Sequence, residues 1–600
     1  MSQYHAPLKE MQFVMNELAG LEQVGKLPGF EDATPDTVAA ILAEAAKFAT
    51  EVLDPLNAVG DREGARRLDD GSVKTPTGFK DAYLQYCANG WNGLTKNPEF
   101  GGQGLPQLVA TAVEEMWHAA NMAFDLCPLL TQGAIEAIEL CGTPEQKELF
   151  LPKMVSGEWA GTMNLTESQA GSDLAAVRTR AVPQPDGSFK LYGQKIFITY
   201  GEHDYTVNII HLVLARTPTA PEGVKGISLF IVPKFLINAD GSLGARNDVQ
   251  CVSLEHKLGI HASPTAVLAY GDHGGAVGYL VGQENRGLEY MFIMMNLARF
   301  SVGLEGVGIA ERAYQRAAAY AKERVQGRAV GEETGAKAAT IIQHPDVRRM
   351  LLSMKAQTEA MRALAYVTAA SLDNASAHPD AEARKRHQAF ADLMIPIVKG
   401  WCTETAQEIA YTGVQVHGGM GFIEETGAAQ HYRDARIITI YEGTTGIQAN
   451  DLIGRKTARD GGKTALAVIA EMQKLDGELG KQPGAEFAAI RSELAAAATA
   501  LKAAVEWIAR TYGTNTRAAH AASVPYLRLW GLTAGGWQMA RAALVAARCL
   551  AEGKGHADFY RAKIATARFY ADYHLPQAAA LKHAVVTAGE SVLALADEQF

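Results

Sequence analysis

Apolar positions recur at helix spacing over most of the chain and at strand spacing over one central stretch. Val38, Ile41, Leu42, Ala45, Phe48 and Ala49 trace one face of a helix that opens after start signals over 32–36 and stops at Asp54-Pro55. A Gly/Asp-rich turn region spans 60–78, and helices are predicted again over 79–88 and 108–123. Cys141-Gly-Thr-Pro144 reads as a helix end, an N-cap and a first-turn proline, with a short helix over 145–154. At Gly161 the period changes. Runs over 178–182 and 189–192 flank Pro185-Asp186-Gly187, a hairpin signal, and 195–200, 207–216 and 226–233 are short β-branched or alternating runs. From Gly287 the helical period returns through Arg324, then over 345–372 and 381–411, with a Gly/Lys-rich loop at 327–338 and a break at 374–380. A further helix is predicted from just after Glu442 to about Arg455. The alanine-rich remainder is helical over 465–475, 487–512, 526–552 and 559–573.

This pattern predicts a mainly α chain with a central β domain. Residues 1–160 form an N-terminal helical domain, 161–280 a barrel-like or sandwich-like β domain, 281–455 a helical bundle, and 456–600 an additional C-terminal helical domain. A length of 600 residues requires several cores.

A hydrophobic share of 48% with 20% charged residues is that of an ordinary globular protein, and a net charge of −10 argues against a surface built for nucleic acid. The six cysteines have neither CxxC spacing nor nearby His clusters, so no zinc site and no disulfide framework is expected. The first twenty residues carry Glu10 and Glu17 and lack the basic start and apolar run of a signal peptide. No segment reaches roughly 18 consecutive apolar residues, so no transmembrane segment is expected. These readings point to a cytoplasmic protein.

The most concentrated chemistry lies in HYRDARIITIYEGTTGIQAND, residues 431–451. Glu442 stands between an aromatic residue and a glycine, after an uncharged run over 437–441. Burial there raises a carboxyl pKa, as a general base requires. The local alternative is a helix-start carboxylate, with Thr444 or Thr445 as N-cap and the charge favoured by the helix dipole. From the local residues alone that alternative is the stronger.

Other motifs accompany this stretch. Met163 to Asp173 (MNLTESQAGSD) is a hydroxyl-rich loop suited to a polar heterocycle and a phosphate. In Lys195-Ile-Phe-Ile-Thr-Tyr-Gly201 an aromatic ring and a hydroxyl two apart on a strand share one face. Asn296-Leu-Ala-Arg299 opens a helix, Arg324-Val-Gln-Gly-Arg328 offers guanidinium groups, and Gln415-Val-His-Gly418-Gly419-Met-Gly421 has glycines that let backbone amides approach an anion. His417 reads as structural. Gly461-Gly-Lys-Thr464 lacks the first glycine of a phosphate loop, which would fall at Thr457, and reads as a solvated interdomain loop.

Together, in this order, these motifs resemble the flavin-dependent acyl-CoA dehydrogenases over about 40–455. The N-terminal YHAPLKEMQFVMNEL and the extra C-terminal helices are most similar to the long bacterial branch, whose substrates include 3-methylmercaptopropionyl-CoA. The resemblance implies α,β-dehydrogenation of an acyl-CoA to the trans-2-enoyl-CoA, FAD as cofactor, an electron-transferring flavoprotein as partner, and a homodimer or dimer of dimers. It further implies Glu442 as base, with Arg299 beside it. FAD contacts would come from Leu165, Thr166, Ser172, Phe197, Thr199, Arg324, Gln415, Gly418, Gly419 and Thr444, and acyl-CoA contacts from Ser172, Asn296 and Tyr441. Some relatives carry the base immediately before the arginine, where this chain has Ala298. Phe197 replaces a more usual tryptophan, and the proline of the family's T-E-P motif is absent. An acyl-CoA oxidase shares the same half-reaction, and a DNA-associated flavoprotein is the alternative of a different class. The C-terminal helices are expected to extend a dimer interface.

Overall fold

The short β-rich runs form one hydrogen-bonded ladder in the computed structural model, which describes residues 3–332, 337–587 and 589–600. Its strands are β1 (Trp159–Asn164), β2 (Arg180–Pro183), β3 (Phe189–Thr199), β4 (Asn208–Ala215), β5 (Ser228–Pro233), β6 (Val249–Leu254), β7 (Thr265–Tyr270) and β8 (Ala276–Leu280). The order is β6-β7-β3-β8-β5-β4-β1, with β2 paired to β3. Only β1 and β4 run parallel. Every residue of β4 is buried, Asn208 and His211 included, as a largely apolar strand covered on both faces should be. Leu191, Ile198, Val213, Phe230, Val232 and Leu268 fill the adjoining core. The expected hairpin is the β2–β3 connection, where Asp186 accepts from the Ser188 amide and hydroxyl.

The principal helices are α1 (Pro35–Phe48), α2 (Phe79–Ala88), α3 (Gln107–Cys141), α4 (Pro144–Val155), α5 (Gly287–Glu323), α6 (Pro345–Ala377), α7 (Ala381–His417), α8 (Ala428–Ala435) and α9 (Thr445–Gly454). Beyond them lie α10 (Lys463–Leu479), α11 (Ala485–Thr511), α12 (Ser523–Ala551), α13 (Ala557–Tyr573) and α14 (Gln577–Thr587). Contacts group Met1–Ala46, Pro106–Ala119 and Arg299–Phe600 into one unit, and Lys47–Leu105 and Ala120–Ala298 into a second. These units follow packing and cut across blocks drawn in chain order.

Local chemistry explains where the helices begin and end. Thr143 and Gln146 form a reciprocal capping box at the start of α4. The helix predicted over 108–123 instead runs to Cys141, because Asn121 breaks the helical backbone (φ −159°) and its side chain accepts from the Phe124 amide, restarting the helix. The helix predicted to end at 411 continues to His417, where Gly418 (φ +59°) terminates it. Lys463 and Thr464 open α10, with Asp460 accepting from the amides of Gly462 and Thr464, so the stretch is a capped helix start. Of the loop expected over 327–338, residues 333–336 lie outside the described residues. By length and composition α5 could cross a membrane, but 72% of its apolar 18-residue window is buried within the protein, as in a core helix.

In the first unit, α5 lies directly on α7. A Cβ added at Gly303 or Gly306 would come within 2.6 Å of Val398 and 2.8 Å of the Cys402 carbonyl oxygen. Beside this contact, the guanidinium of Arg362 on α6 donates to Glu115 and Glu311, with Nη2 2.6 Å and 2.7 Å from the two carboxylates. The Tyr366 hydroxyl also donates to Glu115, at 2.7 Å. Lys563 on α13 similarly joins Glu10 and Glu359. Of the C-terminal helices, α12 packs within its own chain against α6, α7 and α9.

Candidate active site

In the first unit, a short connector between α8 and α9 carries Glu442 at φ +55°, a conformation that L residues adopt at a cost. The connector is held in place from the next helix. The side-chain amide of Gln448, fully buried on α9, donates to the carbonyls of Glu442 (3.1 Å) and Gly443 (3.2 Å). Thr444 is the N-cap of α9, its hydroxyl accepting from the Ile447 amide at 3.3 Å. The capping half of the local alternative is therefore correct. Glu442 takes no part in the cap, and among the described residues nothing donates a hydrogen bond to its carboxylate.

Burial raises the Glu442 carboxyl to about 7, against the pull of Arg299 and Lys399. Arg299 is only 5% exposed, and its Nη1 stands 3.9 Å from Asp451 on α9. Lys399 on α7 is buried, and its ammonium donates to the Ile438 carbonyl at 2.9 Å. Burial brings Lys399 down to about 8, against the attraction of Glu442, Glu305 and Glu404. Tyr441 donates its hydroxyl to Glu305.

Sequence reasoning singled out Glu442, Arg299, Tyr441 and Thr444 in this unit and missed Glu305, Lys399, Glu404 and Asp451. A signal existed for two of them: Glu305 is the one charge in FSVGLEGVGIA and Lys399 the one charge in IPIVKGWC, each inside a helix. A lone charge in a buried apolar run marks a site.

Gln415 lies in the last turn of α7, with Gly418 and Gly419 just beyond it. A Cβ at either glycine would meet nothing within 4 Å, so packing leaves space there, although the φ of +59° at Gly418 itself favours glycine. The opening suits a group approaching from outside the chain. His417 bonds the Gly413 carbonyl at 2.7 Å and stacks on Tyr320, a structural role as expected. Arg324 is exposed just past α5.

In the second unit, the 163–173 loop is anchored by a buried ion pair between Lys195 of β3 and Glu167, 2.8 Å apart. Glu167 also accepts from the amides of Arg178 and Thr179 and from the Thr179 hydroxyl, while Lys195 donates to the Leu165 carbonyl at 2.9 Å. Burial opposes ionisation of Glu167, but Lys195 and these donors prevail and hold it down to about 2. Leu165 is buried, Thr166 half-buried and Ser172 exposed. Along β3 a bulge against β7 interrupts the simple alternation, between the pairs Leu268↔Lys195 and Ala266↔Ile198. Phe197 sits in the bulge at φ +59° and is 58% exposed, and Thr199 is half-buried. Asn296, on the part of α5 in this unit, is exposed.

Replacing Lys195 by Met leaves Glu167 buried without its cation. A loss of about 3 kcal/mol at neutral pH is expected, as for one partner of a buried pair. The Glu167 contribution depends on its carboxylate, so in the native protein it is present above about pH 4.5 and is lost as pH falls toward 2. Amide hydrogen exchange at Arg178 and Thr179 reads the effect directly, and unchanged protection in K195M contradicts it.

The acyl-CoA dehydrogenase N-terminal, middle and C-terminal domain models match residues 35–158, 162–272 and 285–456, and an acetyl-CoA dehydrogenase C-terminal-like model matches 466–596. The chain is 51% identical to a 3-methylmercaptopropionyl-CoA dehydrogenase of Ruegeria pomeroyi over 98% of its own length and 99% of that protein. It is 36% identical to a butyryl-CoA dehydrogenase of Syntrophomonas wolfei over 100% of its length and 99% of that protein. A solved acyl-CoA dehydrogenase from Bacillus anthracis shares the fold at TM-score 0.72 and 22% identity, covering 98% of this chain and 93% of that one. The chain belongs to the acyl-CoA dehydrogenase family of oxidoreductases.

Proposed function

We propose that the protein oxidises an acyl-CoA thioester to the trans-2-enoyl-CoA, with Glu442 as the general base and FAD as cofactor. The observation that carries this reading is the Glu442 carboxylate: held on a strained connector, uncommitted to hydrogen bonds among the described residues, and raised by burial to about 7. FAD, when bound, supplies the acceptor for the β-hydride.

The residues present suit that cofactor. The hydroxyls of half-buried Thr166 and exposed Ser172 offer donors for a ring edge and a phosphate, the exposed Phe197 offers an aromatic face, and Gly418 and Gly419 admit close approach of an anion. Leu165, Thr166, Ser172, Phe197 and Thr199 are assigned to the cofactor, as are Gln415, Gly418, Gly419 and Thr444. Arg324, exposed at the end of α5, would serve the flavin of a second copy in a homodimer.

Glu442 takes the proton from the carbon α to the thioester. Its own backbone N–H, which has no acceptor among the described residues, donates to the thioester carbonyl and steadies the developing enolate charge. Arg299 and Lys399 stabilise the carboxylate form that must do the work. Ser172, Asn296 and Tyr441 are assigned to the acyl-CoA. The electrons leave to an electron-transferring flavoprotein. The identity with the Ruegeria pomeroyi enzyme makes 3-methylmercaptopropionyl-CoA the first acyl group to test.

Anaerobic mixing of the FAD-loaded protein with acyl-CoAs of graded length, 3-methylmercaptopropionyl-CoA among them, should bleach the flavin with at least one. Reoxidation by an electron-transferring flavoprotein without peroxide separates dehydrogenase from oxidase, and no bleaching by any acyl-CoA ends the proposal. Because the base must be deprotonated, kcat/KM should rise with pH through about 7. A flat profile between pH 5.5 and 8 contradicts the assigned base.

A further inference from the structure

Glu305 takes no part in the reaction as described, yet it lies among the groups that surround the base. It is a carboxyl with 0% exposure in the middle of α5. One oxygen accepts from the Tyr441 hydroxyl, and the other, Oε1, has no hydrogen-bond partner among the described residues. Tyr441 immediately precedes Glu442, whose backbone sits at φ +55°. A strained connector keeps its shape only if its surroundings over-determine it. Gln448 grips the connector by its carbonyls from the far side of Glu442, and the Tyr441 hydroxyl is the corresponding hold on the near side.

We propose that Glu305 is a positioning residue: by holding the Tyr441 hydroxyl it fixes the connector so that Glu442 is aimed at the carbon α to the thioester. This rests on Glu442 being the base. The charged and titratable groups around the pair are Arg299 on α5, Lys399 and Glu404 on α7, Asp434 on α8, Tyr441 and Glu442 on the connector, and Asp451 with Arg455 around the end of α9. Burial raises Glu305 to about 8, against Tyr441 and Lys399, and Glu442 adds to the rise. Burial thus favours the protonated form of Glu305, which keeps a second charge away from Glu442.

The test follows exchange of the acyl-CoA α-hydrogen with solvent deuterium, which reads the base without any redox step, together with acyl-CoA affinity by calorimetry. E305L releases Tyr441, so exchange should fall about 10- to 100-fold, the cost of a misplaced catalytic group, and by more than any loss of affinity, since Tyr441 is also assigned to the acyl-CoA. The acid limb of its pH profile should move up from about 7, because a displaced Glu442 loses the stabilising attraction of Arg299 and Lys399. E305Q, whose amide oxygen still accepts from Tyr441, should restore most of the rate. Y441F removes the same bond from the other end and should shift rate and midpoint in the same direction as E305L, so it decides the matter if E305L fails to fold. A wild-type exchange rate and midpoint in Y441F overturn the inference. Exchange retained in E442Q would instead overturn the assignment of the base, so the two failures are distinguishable.

Discussion

Replacing Glu442 by Gln should lower the rate of flavin reduction by acyl-CoA roughly 100- to 10,000-fold while the protein still folds and binds both FAD and acyl-CoA, because a positioned base contributes on that scale. The amide is isosteric, keeps the strained backbone and leaves the Gln448 and Thr444 contacts intact. What it removes is the acceptor for the α-proton. Burial destabilises the charged form of Glu442, so ionising it opposes folding: between about pH 4.5 and 7 the native state holds a proton that the unfolded chain has released, and stability falls as pH rises across that window. E442Q does not carry this cost and should match or exceed the parent in stability at pH 8. Loss of activity together with lower stability would mean that Glu442 supports the structure. Stopped-flow reduction and denaturant unfolding at two pH values separate the outcomes.

The second large effect is structural. Arg362→Leu should destabilise the protein by about 3 to 5 kcal/mol at pH 7.5, since it leaves two buried carboxylates without their shared cation. Glu115 is fully buried, and burial already raises its carboxyl against the opposing pull of Arg362 and the bond from Tyr366. Without Arg362 the rise becomes larger and Glu115 takes up a proton. A carboxyl whose folded value exceeds its unfolded value loses stability as pH climbs between the two, so the R362L deficit should be largest at alkaline pH and shrink toward pH 5. A deficit independent of pH would point to lost packing of the long side chain. Urea unfolding of parent and variant at pH 5, 6.5 and 8 provides the comparison.

Much of this architecture is legible in the sequence, for reasons that differ by element. The β2–β3 hairpin and the α4 capping box are written in adjacent residues, Asp186-Gly187 and Thr143 with Gln146, whose chemistry is local. The continuation of α3 past Asn121 is harder to see because the interruption itself caps the next segment, so a stop and a restart share one residue. The bulge at Phe197 depends on pairing with β7, nearly seventy residues away in sequence, and no local signal carries it. The candidate site shows the same division. Glu442, Thr444 and Arg299 stand in contiguous motifs. Glu305 and Lys399 acquire meaning only through Tyr441 and Ile438, which the fold brings to them from more than a hundred and from nearly forty residues away.

The contact of α12 with α7 bears on how the long form of this family is built. A Cβ on Gly531 would lie 2.0 Å from the Trp401 ring, and one on Gly535 2.7 Å from its far edge. The indole of a bundle helix is thus seated against bare backbone contributed by the last quarter of the chain. A protein cut after Arg455 would present Trp401, 4% exposed at present, to water along with the apolar face around it. The added helices are therefore not a passenger that can be shed or grafted onto a shorter relative. Moving them would require the donor glycines and the recipient tryptophan to travel together, so this pair is the place to begin in any chimera of long and short forms.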